Sequence, residues 1–155
     1  MEEQWIDRVI ELAIKNVRSG QGGPFASVVV RHGELLAEGT NLVTSTSDPT
    51  AHAEIVAIRR ACQKLGSFEL RGCEIYSSCE PCPMCLGAIY WTRLAHIYYA
   101  ASKEDASKAG FDDSFIYQEF DRRGDQRTIQ MVRVTNPKGL NPFQAWEQQP
   151  NKVPY

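Results

Sequence analysis

Three cysteines at three-residue intervals, Cys79, Cys82 and Cys85, constrain this chain more than any other stretch. Pro81 and Pro83 interrupt the run. Pro83 suits the first position of a helix, where its missing N–H costs nothing. The spacing therefore predicts a helix opening at Pro83, with Met84, Leu86, Ile89 and Tyr90 as apolar positions. Cys82 and Cys85 then lie one helical turn apart, and two thiolates so placed can reach the same cation.

A second cluster lies upstream. His52-Ala53-Glu54 opens another apolar helical pattern, Ile55, Ile58, Ala61 and Leu65, which Gly66 ends. His52, Cys82 and Cys85 together give three ligands for one zinc ion. Catalytic zinc sites use three protein ligands and keep the fourth place for water, whereas structural sites are closed by four. Both clusters stand at helix N-termini, where unpaired N–H groups and the positive dipole end favour thiolate. Zinc in such a site lowers the pKa of its water from near 16 to about 7. Glu54 is two residues from His52, so on a helix flank the two would point apart. At a helix end both can face a site beyond the terminus, and Glu54 can move the water's proton to a leaving group.

Each residue alone has an ordinary reading. A histidine before an apolar run is usually a cap or core residue, and a first-turn glutamate favours the helix dipole. A Cys-x-x-Cys pair is often structural zinc, and three spaced cysteines also suit an iron–sulfur cluster. The combination His-x-Glu followed by Pro-Cys-x-x-Cys is the signature of zinc-dependent nucleobase deaminases. Cys79, Cys62 and Cys73 fall outside that scheme and read as structural thiols.

With 155 residues and 43% hydrophobic side chains, the chain fits one globular domain. No apolar run approaches the roughly 18 residues a membrane span needs, and the N-terminus is acidic where a signal peptide would be basic. Five cysteines, three in one loop, suit metal binding in a reducing compartment better than a disulfide framework. The expectation is a cytoplasmic protein with no membrane partner. A net charge of −2 argues against a broad nucleic-acid footprint and for a small-molecule substrate.

Taken in order, Trp5, Ile6, Val9, Ile10, Leu12, Ala13, Ile14 and Val17 mark one wide face of a first helix, stopped by Gly20. A strand over 25–31 and a return strand over 34–39 flank His32-Gly33, a two-residue turn signal. Residues 41–50 read as a polar loop, and a helix starts near Ala51. Strands over 73–77 and 96–100 enclose the Pro83 helix, so this pair should be parallel. A short helical piece after Ser102, a helix from about Asp113 to Arg122, a last strand over 128–134 and a small terminal helix complete the chain. One sheet covered by helices on both faces is the predicted architecture.

On these motifs the chain resembles the cytidine deaminase superfamily, and within it the small bacterial guanine deaminases. The resemblance runs from the first helix to the last residue. It rests on Gly22-Gly23-Pro24-Phe25, on residues 49–54 and on Cys79 through Trp91. It continues in residues 109–117, in 141–146 and in the closing Tyr155. The zinc motifs belong to the whole superfamily. The Phe111-Asp112-Asp113-Ser114-Phe115 stretch and the C-terminal segment single out the guanine enzymes.

The resemblance implies an α/β fold, a three-layer α/β/α sandwich around a five-stranded mixed sheet. It implies one zinc per subunit and the reaction of guanine with water to give xanthine and ammonia, with Glu54 and Asp113 as catalytic residues. It maps Phe25, Asn41, Ala53, Trp91, Asp113 and Tyr155 to the base pocket. It also implies a homodimer exchanging a segment of about 136–155, so that Tyr155 completes the partner's pocket. The chemistry is apt: asparagine offers a donor and an acceptor, and Phe25 and Trp91 could sandwich a flat base. An ionised Asp113 can accept from the adjacent ring N–H and amino group of guanine.

Three other readings share parts of this pattern. Adenosine deamination in tRNA uses the same core but fits the acidic balance poorly. Cytosine or cytidine deamination has no evident use for residues 111–117. A non-catalytic module with structural zinc would take Cys79 or Cys73 as a fourth ligand and would not need Glu54.

Overall fold

The structure, a computed structural model, describes residues 2–155. Helix α1, Glu2–Arg18, opens the chain. A hairpin of β1, Ala26–Arg31, and β2, Glu34–Thr40, follows. Its turn residues His32 and Gly33 both take positive φ, 54° and 77°. That conformation matches the twist of two adjacent strands. The register slips by one residue between Val29 and Val30, leaving Leu36 as the extra residue of a bulge.

One-turn helix α2, Val43–Thr46, leads to α3, Ala53–Leu65. Then come β3, Cys73–Cys79, α4, Pro83–Trp91, and β4, His96–Ala101. The sheet order is β2-β1-β3-β4. β1 pairs antiparallel with β2 and β3, while β3 and β4 are parallel across the α4 connection. Helix α5, Lys103–Lys108, starts in a capping box between Ser102 and Asp105.

Alternation along β1 and β3 sorts the core into two layers. Val28, Val30 and Tyr76 pack against Val9 and Ala13 of α1. Val29 and Ile75 pack against Ala57, Ile58 and Ala61 of α3 and Ile89 of α4. Helices on both faces give the expected three-layer α/β/α arrangement.

The sheet is a point of correction. Among the described residues it has four strands, where five were expected. Residues 130–136 form neither strand nor helix. Ile129, Met131, Val132 and Val134 are exposed. An alternating segment becomes a strand only beside a backbone that accepts its hydrogen bonds in a ladder. Among the described residues no strand pairs with it, and Met131 N donates instead to Gly124 O at 3.1 Å. A second, smaller difference is α2, which occupies part of the expected loop over 41–50.

Contacts divide the chain into two compact units, one ending at Asp113 and the other Ser114–Tyr155. The second holds α6, Ser114–Asp121, a 3₁₀ turn, Gly124–Gln126, and α7, Asn141–Gln148. Within it Glu119 accepts hydrogen bonds from Thr128 N and Arg122 Nη1, each at 2.7 Å. None of its residues is buried.

Gly39 sets how close α3 approaches the sheet. A Cβ there would lie 2.3 Å from Ala53 O and 2.4 Å from Ala57 N. Both are backbone atoms at the N-terminal end of α3, so neither can swing aside. Gly39→Ala should therefore cost roughly 1–3 kcal/mol, the usual penalty for overpacking. The denaturation midpoint reads this directly, and an unchanged midpoint would contradict the close approach.

Candidate active site

Two helix entrances face one another. His52 precedes α3 at φ −66°, ψ 156°, and Cys82 precedes α4 at φ −65°, ψ 167°. Both residues hold cap positions, yet neither side chain caps its own helix. Their side chains turn to each other instead. His52 Nδ1 lies 3.5 Å from Cys82 Sγ and 3.5 Å from Cys85 Sγ. The three donor atoms all fall within 4.8 Å of one another, and they form the one such group among the described residues.

This donor set fits zinc. With Zn–S near 2.3 Å and Zn–N near 2.0–2.1 Å, donors across a tetrahedral edge stand about 3.5 Å apart. Imidazole and thiolate are ligands that zinc prefers over harder cations. The two thiols behave as a pair. The Cys85 hydrogen bond and His52 push Cys82 down to about 4. The thiolate beside it and burial push Cys85 up. The Cys82 hydrogen bond raises His52.

Glu54 is buried beside this group, and burial pushes its carboxyl above the ordinary range. The neighbouring Cys85 thiol acts in the opposite direction and lowers it. Cys79 is not part of the donor group. Its Sγ meets Ser102 O at 3.5 Å, and burial raises the thiol to about 11. Cys73 begins β3, buried in the layer beneath α3 and α4.

A cavity of about 570 Å³ opens over the donor group. His52, Glu54 and Cys82 line it together with Phe25, Asn41 and Asp113. Burial, and next the Cys82 thiolate, raise the Asp113 carboxyl. Asn41 accepts at its Oδ1 from Val43 N at 3.2 Å and Gly23 N at 3.4 Å. The amide oxygen is thereby engaged, and the amino end is the one that can serve a ligand.

Six of the ten residues singled out by sequence thus share one wall: His52, Glu54, Cys82, Phe25, Asn41 and Asp113. Cys85 completes the donor group from below. Ala53 is fully buried at the start of α3, and Trp91, at the end of α4, is 62% exposed. Neither lines the cavity within its unit. Tyr155 belongs to the Ser114–Tyr155 unit and is 76% exposed.

Sequence reasoning passed over Phe111 as a pocket residue. Its ring meets Phe25 edge to face, with centroids 4.9 Å apart and planes at 87°. Lys103 also lines the cavity, and its backbone N donates to Glu80 Oε2 at 3.2 Å. Phe111 lies in the stretch that carried the family resemblance, so its signal was present.

The fold and the donor group define a zinc-binding deaminase domain, and the chain belongs to that family. The profile of the cytidine and deoxycytidylate deaminase zinc-binding region matches residues 1–101. Guanine deaminase of Bacillus subtilis strain 168 is 53% identical over 99% of this chain and 98% of its own length. A crystal structure of guanine deaminase from Bacillus subtilis superposes with a TM-score of 0.99 at 52% identity, covering 100% of this chain and 99% of that one. Another solved relative, in complex with 8-azaguanine, is 38% identical with a TM-score of 0.70. It covers 73% of this chain and 65% of that one. A tRNA-specific adenosine deaminase of Aquifex aeolicus is 40% identical over 50% of this chain and 52% of its own length.

Proposed function

We propose that this chain hydrolyses guanine to xanthine and ammonia. One observation carries the reading: a single cavity holds the His52 and Cys82 donors, Glu54 and the Asp113 carboxylate in its wall. Guanine presents a ring N–H and an amino group side by side, and an ionised carboxylate accepts from both. Adenine and cytosine do not offer that pair. The full-length likeness to a guanine deaminase and the 8-azaguanine held by a relative support the same substrate class.

Zinc held by His52, Cys82 and Cys85 would supply a nucleophile from water at neutral pH. The residues of the chain do the rest. Asp113 orients the base through its N1–H and amino group. Asn41 donates from Nδ2 to a ring acceptor, and Phe25, with Phe111 against it, packs on the ring. Glu54 takes the proton of the attacking water and delivers it to the ring nitrogen. It then takes the proton of the hydroxyl now on the ring carbon and passes it to the departing amine, leaving the carbonyl of xanthine. Its raised carboxyl suits a group that must both accept and return a proton.

The reading extends to a homodimer in the cytoplasm, acting in purine breakdown. In it residues 1–155 form one deaminase domain, and a segment of about 136–155 crosses to a second copy. Phe115, Phe120, Phe143 and Trp146 are exposed in a unit without a buried residue, which favours such an exchange. Tyr155 would then complete the partner's pocket, with Trp91 and Ala53 at its border. Five free cysteines fit a reducing compartment. Among the described residues no helix is long and apolar enough to cross a membrane.

Ammonia release from guanine, adenine, cytosine and tRNA tests the substrate. Guanine alone should be turned over. Release from tRNA but not from guanine would overturn the reading in favour of adenosine deamination. Asp113→Asn puts an amide where the base needs two acceptors. Bonds to a charged group are worth about 1.5–3 kcal/mol, so kcat/KM for guanine should fall about ten- to a hundredfold. An unchanged kcat/KM would remove Asp113 from recognition.

A further inference from the structure

Asn16 sits on the inner face of α1, in phase with buried Val9 and Ala13, and is only 4% exposed. A polar amide at a core position needs partners, and this one has two. Its Nδ2 donates to Gly23 O and to Asn41 O, each at 2.9 Å. One amino group therefore ties the loop over 20–24 to the end of β2. The same two segments bond each other. Phe25 N donates to Gly23 O at 2.9 Å, and Asn41 N donates to Phe25 O at 3.0 Å. Gly22 packs so closely that a Cβ there would lie 2.1 Å from Asn41 O.

Two cavity residues, Phe25 and Asn41, hang from this knot, while Asn16 itself is not in the cavity wall. Two carbonyl oxygens brought together in a dry site repel unless they share a donor. Asn16 is that donor. With Gly23 and the Asn41 main chain held, the amides of Gly23 and Val43 converge on Asn41 Oδ1. The carboxamide is then locked with its amino group as the ligand-facing end.

We propose that Asn16 is a positioning residue for the pocket, bridging Gly23 and Asn41 so that Asn41 meets the base as a hydrogen-bond donor. This rests on the guanine reading of the site. If Asn16 is lost, Asn41 can turn, and its oxygen then faces an acceptor on the ring.

The test is a double-mutant cycle on the zinc-loaded protein, with guanine as substrate. Asn16→Asp keeps the shape and removes both donors. Asn16→Ala removes them without adding a carboxylate and serves if the first variant does not fold. The expected result is a guanine KM raised about tenfold with kcat within about threefold of wild type, and unchanged zinc content. In an Asn41→Ala background the same substitution should shift KM less than about twofold. A loss of equal size in both backgrounds, or a lower melting temperature with an unchanged KM, would overturn the proposal. Amide hydrogen exchange at Gly23 and Val43 reads the lock without any substrate. Faster exchange in Asn16→Ala supports it and unchanged exchange overturns it. If wild-type protein does not turn over guanine, the substrate reading fails, and the exchange measurement still decides the role of Asn16.

Discussion

Glu54→Gln lowers turnover of guanine by roughly 10²–10⁴-fold while zinc content stays at the wild-type level. The substitution keeps size and hydrogen-bonding reach but cannot take up a proton. Glu54 is not one of the three donor atoms, so the metal has no reason to leave. It is buried at the cavity wall next to them, where a proton from water can pass to the base. Steady-state rates together with metal content per chain check this. A near-normal rate would take Glu54 out of the mechanism. A loss of zinc equal to the loss of rate would make it a ligand instead.

Cys85→Ser should produce the other large effect. Cys85 is fully buried, and its sulfur lies 3.5 Å from His52 Nδ1. Serine preserves the shape, but its hydroxyl does not ionise at neutral pH and is a poor partner for zinc. Removing an outer-shell partner of a zinc ligand costs about 10–100-fold in metal affinity, and removing a ligand should cost at least as much. Activity should fall with metal content and return in part at high zinc. Cys82→Ser should behave alike. Cys62→Ser, on the core side of α3, should keep its zinc. Unchanged zinc affinity in Cys85→Ser would refute the ligand assignment.

How far the chain could be read without coordinates depended on how local each signal was. His32-Gly33 marked its hairpin because both residues tolerate the positive φ that a two-residue turn demands. Pro83 and Gly66 marked helix ends because each restricts one backbone position. The His52 and Cys82 entrances were legible for the same reason. Their meeting in space was not local, and it rested on the paired His-x-Glu and Pro-Cys-x-x-Cys signature together with the three donors that one zinc ion takes.

What the sequence pattern left open had both local and non-local causes. Residues 128–134 alternate like a strand, but alternation supplies no partner backbone. Helix α2 is a single turn in which Thr46 N and the Ser45 and Thr46 hydroxyls all bond Leu42 O, a local alternative that polar composition alone does not reveal. Trp91 and Phe111 are both aromatic residues near the zinc motifs in sequence or family pattern. Which one reaches the cavity wall within this unit depends on where α4 ends and where the loop over 109–113 turns. Asn16 was passed over in the sequence, because what marks it out is its two carbonyl partners, Gly23 O and Asn41 O, which only the fold brings to it.

Zinc-edge X-ray absorption of the loaded protein bears on the metal centre most directly. Two sulfur neighbours, one imidazole nitrogen and one light oxygen are expected around one zinc per chain. Three sulfurs and a nitrogen, with Cys79 drawn in, would close the coordination shell and make this a structural site with no place for a reacting water.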